Sequence, residues 1–515
     1  MVLSLSRASS IDRLWILVIL SFLLVVGSAR PLPPNDLWWH ARIGSEILDT
    51  GHIPRHDVYS LTERGQPFFY QSWLAEVLMA SLLRLGDVRL LIFTRALIMV
   101  ALFGTVMLLC WWASEGNRKA TVLATLGAIL LGLGNQTVRP QLFAYPIFIA
   151  VYALLWLYLR GGARRSVWLI PLLVMIWVNV HGSFALGLGL IWLVFLGELL
   201  SLALPKLAGR LPPGRTNARE WLTTLGLIAL LSTALILFNP RGLDILGYVA
   251  DLMTDVPSQT LGAEWQPLDP RAGLGQSFYL LFLLGVATLA MARPPVPLTD
   301  LFLFLAFAWL GASGLRYVVW FGVVGAPIVA GAWLRFPWDD LVRWRDRLAG
   351  RALGQRLLHG DGSGYPGFRR LALAAVILSL LAVTALYLFY PDDDLWLTDR
   401  TGSAAVEFMD RNAMHGRLFN ELGRGSYVIW RLGPAQPVYI DPRFELYPLE
   451  HFQDYLTLSN AKEGAEALLD GYDFDLLLLD RDSQAALVTL LDRQPEHWRR
   501  VYEDGTTLLY ERLRE

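Results

Sequence analysis

The chain has 515 residues, of which 54% are hydrophobic and only 17% charged, with a mean hydropathy of +0.42 and a formal net charge of −1. Soluble domains carry about 25% charged residues, so much of this surface faces lipid; the same values exclude intrinsic disorder and the basic footprint of a nucleic-acid binder. The single cysteine, Cys110, excludes a disulfide framework and any multi-cysteine metal cluster.

In chain order, apolar runs recur near 12–29, 89–112, 120–136, 141–160, 166–180, 183–204, 221–239, 276–292, 298–312, 316–335 and 371–390. A spanning helix takes about 17–25 apolar residues, which predicts about 11 spans. The first run has Arg7 and Arg13 before it and Gly27-Ser28-Ala29 at its end, as a signal peptide does. It is long for a cleaved segment, so a retained span is the expectation. With the N-terminus inside, Arg118/Lys119, Arg160/Arg164/Arg165, Lys206/Arg210/Arg215/Arg219 and the arginines from Arg335 to Arg370 all fall in inside loops, as the positive-inside rule requires. An odd number of spans puts the C-terminal segment outside. The inside loop 336–370, with Arg343, Arg345, Arg347, Arg351, Arg356 and the run Gly360–Gly364, is a basic linker without assigned chemistry.

The outside loop 30–88 predicts two interface helices, Leu37–Asp49 closed by Gly51 and Ser72–Leu85, joined through the turn His52–Asp57. His52 and His56 stand four residues apart, but Pro54 between them prevents a shared helical face for a metal. A second long outside loop covers 240–275. The tail changes period. Ser426–Trp430, Pro437–Ile440 and Leu476–Leu479 predict strands. Glu450–Ser459, Lys462–Leu469 and Ser483–Leu491 predict helices, and Val501–Glu511 a hairpin about Asp504-Gly505. The expected domains are a polytopic membrane part, 1–390, and a small α/β part, 391–515.

No phosphate-binding glycine loop, dinucleotide fingerprint, H-E-x-x-H or G-x-S-x-G signature is present. Instead, polar residues gather where predicted spans meet the outside face: Asn35, Asp36, His40, Asp57, Arg139, Asn179, His181, Asn239, Arg241, Glu264 and Arg316. Ionisable groups at membrane depth are costly and commonly line a cavity or pathway. Each has a plainer alternative. Asp36 or Asn35 caps the helix at Leu37, Arg139 and Arg316 reach to head groups, Glu264 pairs with Arg241 or Arg271, and Trp38 or Trp39 anchors at the interface.

The ordered series Asn35-Asp36-Leu37-Trp38-Trp39-His40, Gly44, Gly51-His52-Ile53-Pro54, Asp57 and Ser72-Trp73-Leu74-Ala75-Glu76 resembles the first outside loop of a bacterial group assigned to the GT-C superfamily of membrane glycosyltransferases. Arg139-Pro140-Gln141, Asn179–Gly182, Asn239–Gly242, Glu264-Trp265-Gln266 and Arg316-Tyr317 extend the resemblance. So do Gly416–Asn420, Gly425-Ser426-Tyr427 and Tyr439–Arg443 in the tail. No single motif is highly specific, but the order is.

The resemblance implies an α-helical polytopic membrane protein with a C-terminal extracytoplasmic α/β domain, set in the cytoplasmic membrane. It implies inverting transfer of a sugar from a polyprenyl-phosphate-type carrier to a glycan, lipid or protein acceptor. It places the catalytic base at Asp36. Many members carry an acidic pair there; here Asn35 precedes Asp36, so Asp57 is the candidate to complete the pair in space. His40, Arg139, His181, Arg241, Glu264, Arg316 and Trp38 are the expected substrate-binding residues, the arginines for the leaving phosphate, Trp38 or Trp39 for a sugar face. No cofactor is predicted. A divalent metal is compatible with such chemistry, but the carboxylates are too scattered to predict one. The competing classes are a lipid-linked-sugar flippase and a non-catalytic scaffold subunit.

Overall fold

The computed structural model describes residues 10–204, 218–340, 343, 368–389 and 396–514. Helices α1 (Ser10–Ala29), α2 (Leu37–Thr50), α3 (Trp73–Ala113), α4 (Arg118–Gly132), α5 (Pro140–Leu159), α6 (Ile170–Trp177) and α7 (Phe184–Ala203) come first. After them come α8 (Ala218–Leu235), α9 (Asp244–Thr254), α10 (Val256–Leu261), α11 (Gly273–Met291), α12 (Leu298–Ser313), α13 (Val318–Trp333) and α14 (Phe368–Phe389). The protein is a multi-pass membrane protein. Among the described residues, seven helical stretches are long and apolar enough to cross a bilayer: Trp73–Ala113, Pro140–Leu159, Phe184–Ala203, Arg219–Phe238, Gly273–Met291, Leu315–Trp333 and Arg370–Leu388. Leu14–Ala29, Ser166–Trp177 and Leu298–Ser313 are apolar but shorter, so the length criterion gives fewer spans than the hydrophobic runs alone. Much of the expected inside charge, including Lys206, Arg210, Arg215, Arg345, Arg347, Arg351, Arg356 and Gly360–Gly364, lies outside the described residues.

Burial divides the helices by role. α13 is buried along almost its whole length and packs on α3, α4 and α12. α11 and α14 turn Leu280, Leu283, Leu284, Leu371, Leu378 and Leu381 outward, as lipid-facing helices do. The second predicted interface helix and the next span are one element, α3, broken at Gly86 and Asp87, where Asp87 takes φ 54°. Gly51, at φ 71°, ends α2 in the left-handed conformation that glycine adopts without strain. α2 crosses α3 so closely that a Cβ on Gly44 would stand 1.9 Å from the Glu76 carbonyl oxygen.

The tail holds a four-stranded sheet of β1 (Leu418–Asn420), β2 (Leu476–Asp480), β3 (Trp498–Glu503) and β4 (Thr507–Arg512), in the order β1-β2-β4-β3. β1 and β2 are parallel, and the other pairings are antiparallel. Around it lie α15 (Ser403–Arg411), α16 (Leu422–Leu432), α17 (Leu449–Ser459), α18 (Ala465–Tyr472) and α19 (Ala485–Asp492). Two expectations are corrected. Ser426–Trp430, read as a strand from its aromatic and β-branched run, is inside α16. Glu421 caps that helix by accepting the Arg424 N–H, and Gly425, Ser426, Val428 and Ile429 are buried. Pro437–Ile440 is no regular strand, but Val438 bridges both Leu418 and Ser60 of the first loop. The Val438 N–H donates to Tyr59 O at 2.9 Å, and the Leu61 N–H to Val438 O at 2.8 Å. First loop and tail are therefore joined by main-chain pairing.

Candidate active site

A cavity of about 340 Å³ opens between the first loop, the starts of α5 and α7, the 240–275 loop, the start of α13 and the tail. It gathers Asp36, His40, Arg139, His181, Glu264 and Arg316 from five separate stretches of chain. Trp39, Phe69, Tyr248, Trp265 and Tyr317 supply aromatic walls, and the tail contributes Phe444 and Glu445.

Asp36 precedes the first residue of α2, yet its side chain caps nothing. Asn35 Oδ1 accepts the Leu37 N–H at 2.9 Å instead. The carboxylate is therefore free to face the cavity, where Oδ2 lies 3.9 Å from Arg139 Nη1. Burial raises the Asp36 pKa above the ordinary aspartate value, with Arg139 working against it. Glu264 takes neither of its expected partners. It pairs with Arg139 through Nη2 and lies 3.5 Å from Arg316 Nη1, so one carboxylate holds two guanidinium groups. Burial acts to raise the Glu264 pKa, but the two arginines outweigh it and hold it below the usual range. Arg316 also lies over the Trp265 ring at 4.1 Å. Arg139 and Arg316 are thus not snorkelling to head groups; both turn into the cavity wall.

His40 stands one turn beyond Asp36. Its Nδ1 is 2.8 Å from Glu76 Oε1. Glu76 is fully buried, and its Oε2 has no hydrogen-bond partner among the described residues. Burial depresses the His40 pKa well below the usual histidine value, and His181, Arg139 and Arg443 add to the effect. Glu76 is a wall residue that the sequence left unassigned; the available signal was a lone acid in an apolar helix. His181 lies in the turn between α6 and α7. Burial and the nearby Arg316 and Arg139 hold its pKa well below the usual value.

Three expected site residues stand elsewhere. Asp57 does not complete an acidic pair with Asp36. It is fully buried outside the cavity lining, receives Arg443 Nη1 at 2.6 Å, and is hydrogen-bonded by the Ser60 hydroxyl and main chain. Glu264, not Asp57, shares the cavity with Asp36. Trp38 offers no sugar face: it is buried against Tyr427 and Trp430 of α16, at ring-centre distances of 5.0 and 6.0 Å, and Trp39 lines the cavity in its place. Arg241 lies just outside the lining, its guanidinium 3.8 Å above the Phe69 ring and 5.0 Å from Tyr248. Asn179 and Asn239 are scaffold. Trp73 Nε1 donates to Asn179 Oδ1 at 2.9 Å, and Asn239 Nδ2 to Val178 O at 3.1 Å.

No group of three His, Cys, Asp or Glu stands together at metal-binding range among the described residues, and of the carboxylates that line the cavity Asp36 and Glu264 already face arginines. Positive charge here comes from guanidinium groups.

No protein-family model and no curated protein matches the chain. Solved structures do. The archaeal oligosaccharyltransferase AglB of Archaeoglobus fulgidus, in complex with an inhibitory peptide and a dolichol-phosphate, superposes with a TM-score of 0.56 at 12% identity, over 98% of this chain and 75% of its own. The Archaeoglobus fulgidus oligosaccharyltransferase in complex with Zn and sulfate gives 0.53 at 14%, over 96% and 73%. ArnT from Cupriavidus metallidurans in the apo state gives 0.51 at 13%, over 97% of each chain. These neighbours are membrane glycosyltransferases of the GT-C superfamily, and the fold of this chain is the GT-C fold.

Proposed function

We propose that this protein transfers a sugar from a polyprenyl-phosphate-type lipid carrier to an envelope acceptor, on the outer face of the cytoplasmic membrane. The observation that carries the proposal is one cavity holding an uncapped carboxylate, Asp36, beside two guanidinium groups, Arg139 and Arg316, that a second carboxylate braces. An acceptor alcohol is a weak nucleophile at neutral pH and needs a base. Asp36 takes its proton as the oxygen attacks the anomeric carbon. The bond from that carbon to the phosphate oxygen breaks on the opposite face, which inverts the configuration, and the electron pair leaves with the phosphate. Arg139 and Arg316 stabilise that anion. Trp39 and the other aromatic walls bear on the sugar faces. The cavity volume suits a single sugar with its phosphate.

Charge supports this orientation: in the sequence, basic residues concentrate in the loops expected on the inside, as the positive-inside rule requires if the cavity faces outward. The polyprenyl chain lies along the lipid-facing surface beside the 240–275 loop, where Phe238, Leu243 and Leu246 are exposed. That one archaeal neighbour holds a dolichol-phosphate favours a carrier of this class.

The test uses the purified full chain in micelles, with lipid-linked sugars and acceptor material extracted from the source membranes. Free polyprenyl phosphate should appear by mass spectrometry in step with a glycosylated product, and Asp36→Asn should stop both. In vesicles, movement of the intact lipid-linked sugar across the bilayer without release of its phosphate would instead identify a flippase.

A further inference from the structure

His181 is held in one protonation form by a relay that reaches into the helix core. Trp177 Nε1 donates to Ser183 Oγ at 3.1 Å. That oxygen lies 2.9 Å from His181 Nδ1, and the Ser183 main-chain N–H donates to the same Nδ1 at 3.0 Å. An indole N–H and a peptide N–H can only donate. The Ser183 hydroxyl, already accepting from Trp177, turns its own proton to His181. Nδ1 thus accepts from two donors and carries no hydrogen, and the ring proton sits on Nε2. Adding a proton at Nδ1 would set it against the Ser183 N–H. The relay is itself rigid: Trp177 is fully buried, and a Cβ on Gly187 would fall 2.2 Å from its ring.

We propose that His181 is a permanently neutral hydrogen-bond donor to the leaving phosphate, acting beside Arg139 and Arg316, with Ser183 and Trp177 as its positioning residues. The assignment rests on the polyprenyl-phosphate reading above and deepens it. With Nδ1 occupied and the proton on Nε2, the ring has no free nitrogen to act as base toward the acceptor, and it shares the cavity with Arg139 and Arg316, the groups assigned to the leaving phosphate. As the carbon–oxygen bond breaks, the electron pair passes to the phosphate oxygen, the bond from Nε2–H strengthens, and no proton is transferred. The charged and titratable groups that share the cavity are Arg139, Arg316, Asp36, Glu264, Glu76, Glu445 and His40, with Tyr70, Tyr248 and Tyr317. Burial together with Arg316 and Arg139 opposes protonation of His181, in the same direction as the relay.

Two measurements on the full chain in micelles test this. In protein labelled with ¹⁵N-histidine, the signals that disappear in His181→Gln should report a neutral Nε2–H ring from pH 8 down to pH 5. An Nδ1–H form, or an imidazolium above pH 5.5, would overturn the assignment. For binding of a polyprenyl monophosphate, His181→Ala should weaken affinity by about tenfold. His181→Gln, whose amide N–H can donate, should recover most of it, while Ser183→Ala, which keeps the main-chain N–H to Nδ1 and removes only the hydroxyl, should lose a few-fold. Affinity for the uncharged polyprenol should not change. If His181→Ala binds the phosphate as tightly as the unaltered protein, the assignment fails while the carrier reading stands. If the unaltered protein binds no polyprenyl phosphate, both fail.

Discussion

Asp36 and Asn35 divide two tasks that a single acid could have combined. Because Asn35 takes the Leu37 N–H, replacing Asp36 removes the proposed base without removing a helix cap. Asp36→Asn should lower turnover by about 10²–10⁴-fold and leave the melting temperature unchanged, to be checked by calorimetry on the same preparations. The base must be ionised to work, so the rate falls as pH drops through the Asp36 pKa. Burial raises that pKa, so the acid limb should lie above the ordinary aspartate range, near 4. A pH–rate profile in which Asp36→Glu keeps a limb and Asp36→Asn abolishes it tests this sign. Glu264→Gln removes the charge that braces both arginines, and should raise KM for the donor more than it lowers kcat. Most of the cavity was legible in the sequence because ionisable residues are scarce in an apolar chain and those at span ends have few places to go. Asp57 was misassigned because its partner, Arg443, is 386 residues away and nothing local announces it. Glu76 escaped because one acid in a helix reads as a surface residue until the helix on top of it is known.

At the scale of elements, the close crossing of α2 over α3 sets where Asp36 and His40 stand. Gly44→Ala would drive a methyl group into the Glu76 main chain, and the helices must part. A cost of about 3 kcal/mol is expected, read as a lower thermal midpoint, with activity falling further than stability because the His40–Glu76 contact is lost with the crossing. Gly44 was visible as part of an ordered series, but its reason was not: only the crossing shows that no Cβ fits. The strand expected at Ser426–Trp430 failed for a different reason. Tyr427, Val428, Ile429 and Trp430 favour a pleated surface one by one, yet the Glu421 cap and the burial of Val428 and Ile429 beside the first loop favour a helix. Ser426 Oγ accepts the Trp39 N–H at 3.0 Å, a bond that a strand there would not be placed to make.

At the scale of the molecule, the tail forms one wall of the cavity. Arg443 is fully buried between Asp57 of the first loop and Asp441 of its own turn, and Tyr447 donates to Asp441 at 2.6 Å. Phe444 and Glu445, the next residues, face the cavity. Burial acts to raise the Asp57 pKa, but Arg443 and Ser60 together bring it below the model-peptide value. Its contribution to stability is therefore present above the unfolded pKa of about 4 and is lost as pH falls through the lower folded value. Asp57→Asn leaves a buried guanidinium short of one charge and should cost about 3 kcal/mol, seen as a lower melting temperature and faster proteolysis of the tail, with the acid-induced loss reduced. The broad plan of apolar helices followed by an α/β tail was legible from hydropathy and period. The joining of the first loop to the tail was not, because pairing between Tyr59–Leu61 and Val438 depends on main-chain geometry and not on residue type.

The most direct test of the central claim compares envelope glycans and lipid-linked sugars, by mass spectrometry, in a strain lacking the protein, one with it restored, and one carrying Asp36→Asn at matched abundance. A polyprenyl-phosphate sugar should accumulate and a glycan should lose that sugar in the first and third strains, and only the unaltered protein should reverse both. Restoration of the glycan by Asp36→Asn to the unaltered level would contradict the account, since the carboxylate would then not be the base of a sugar transfer.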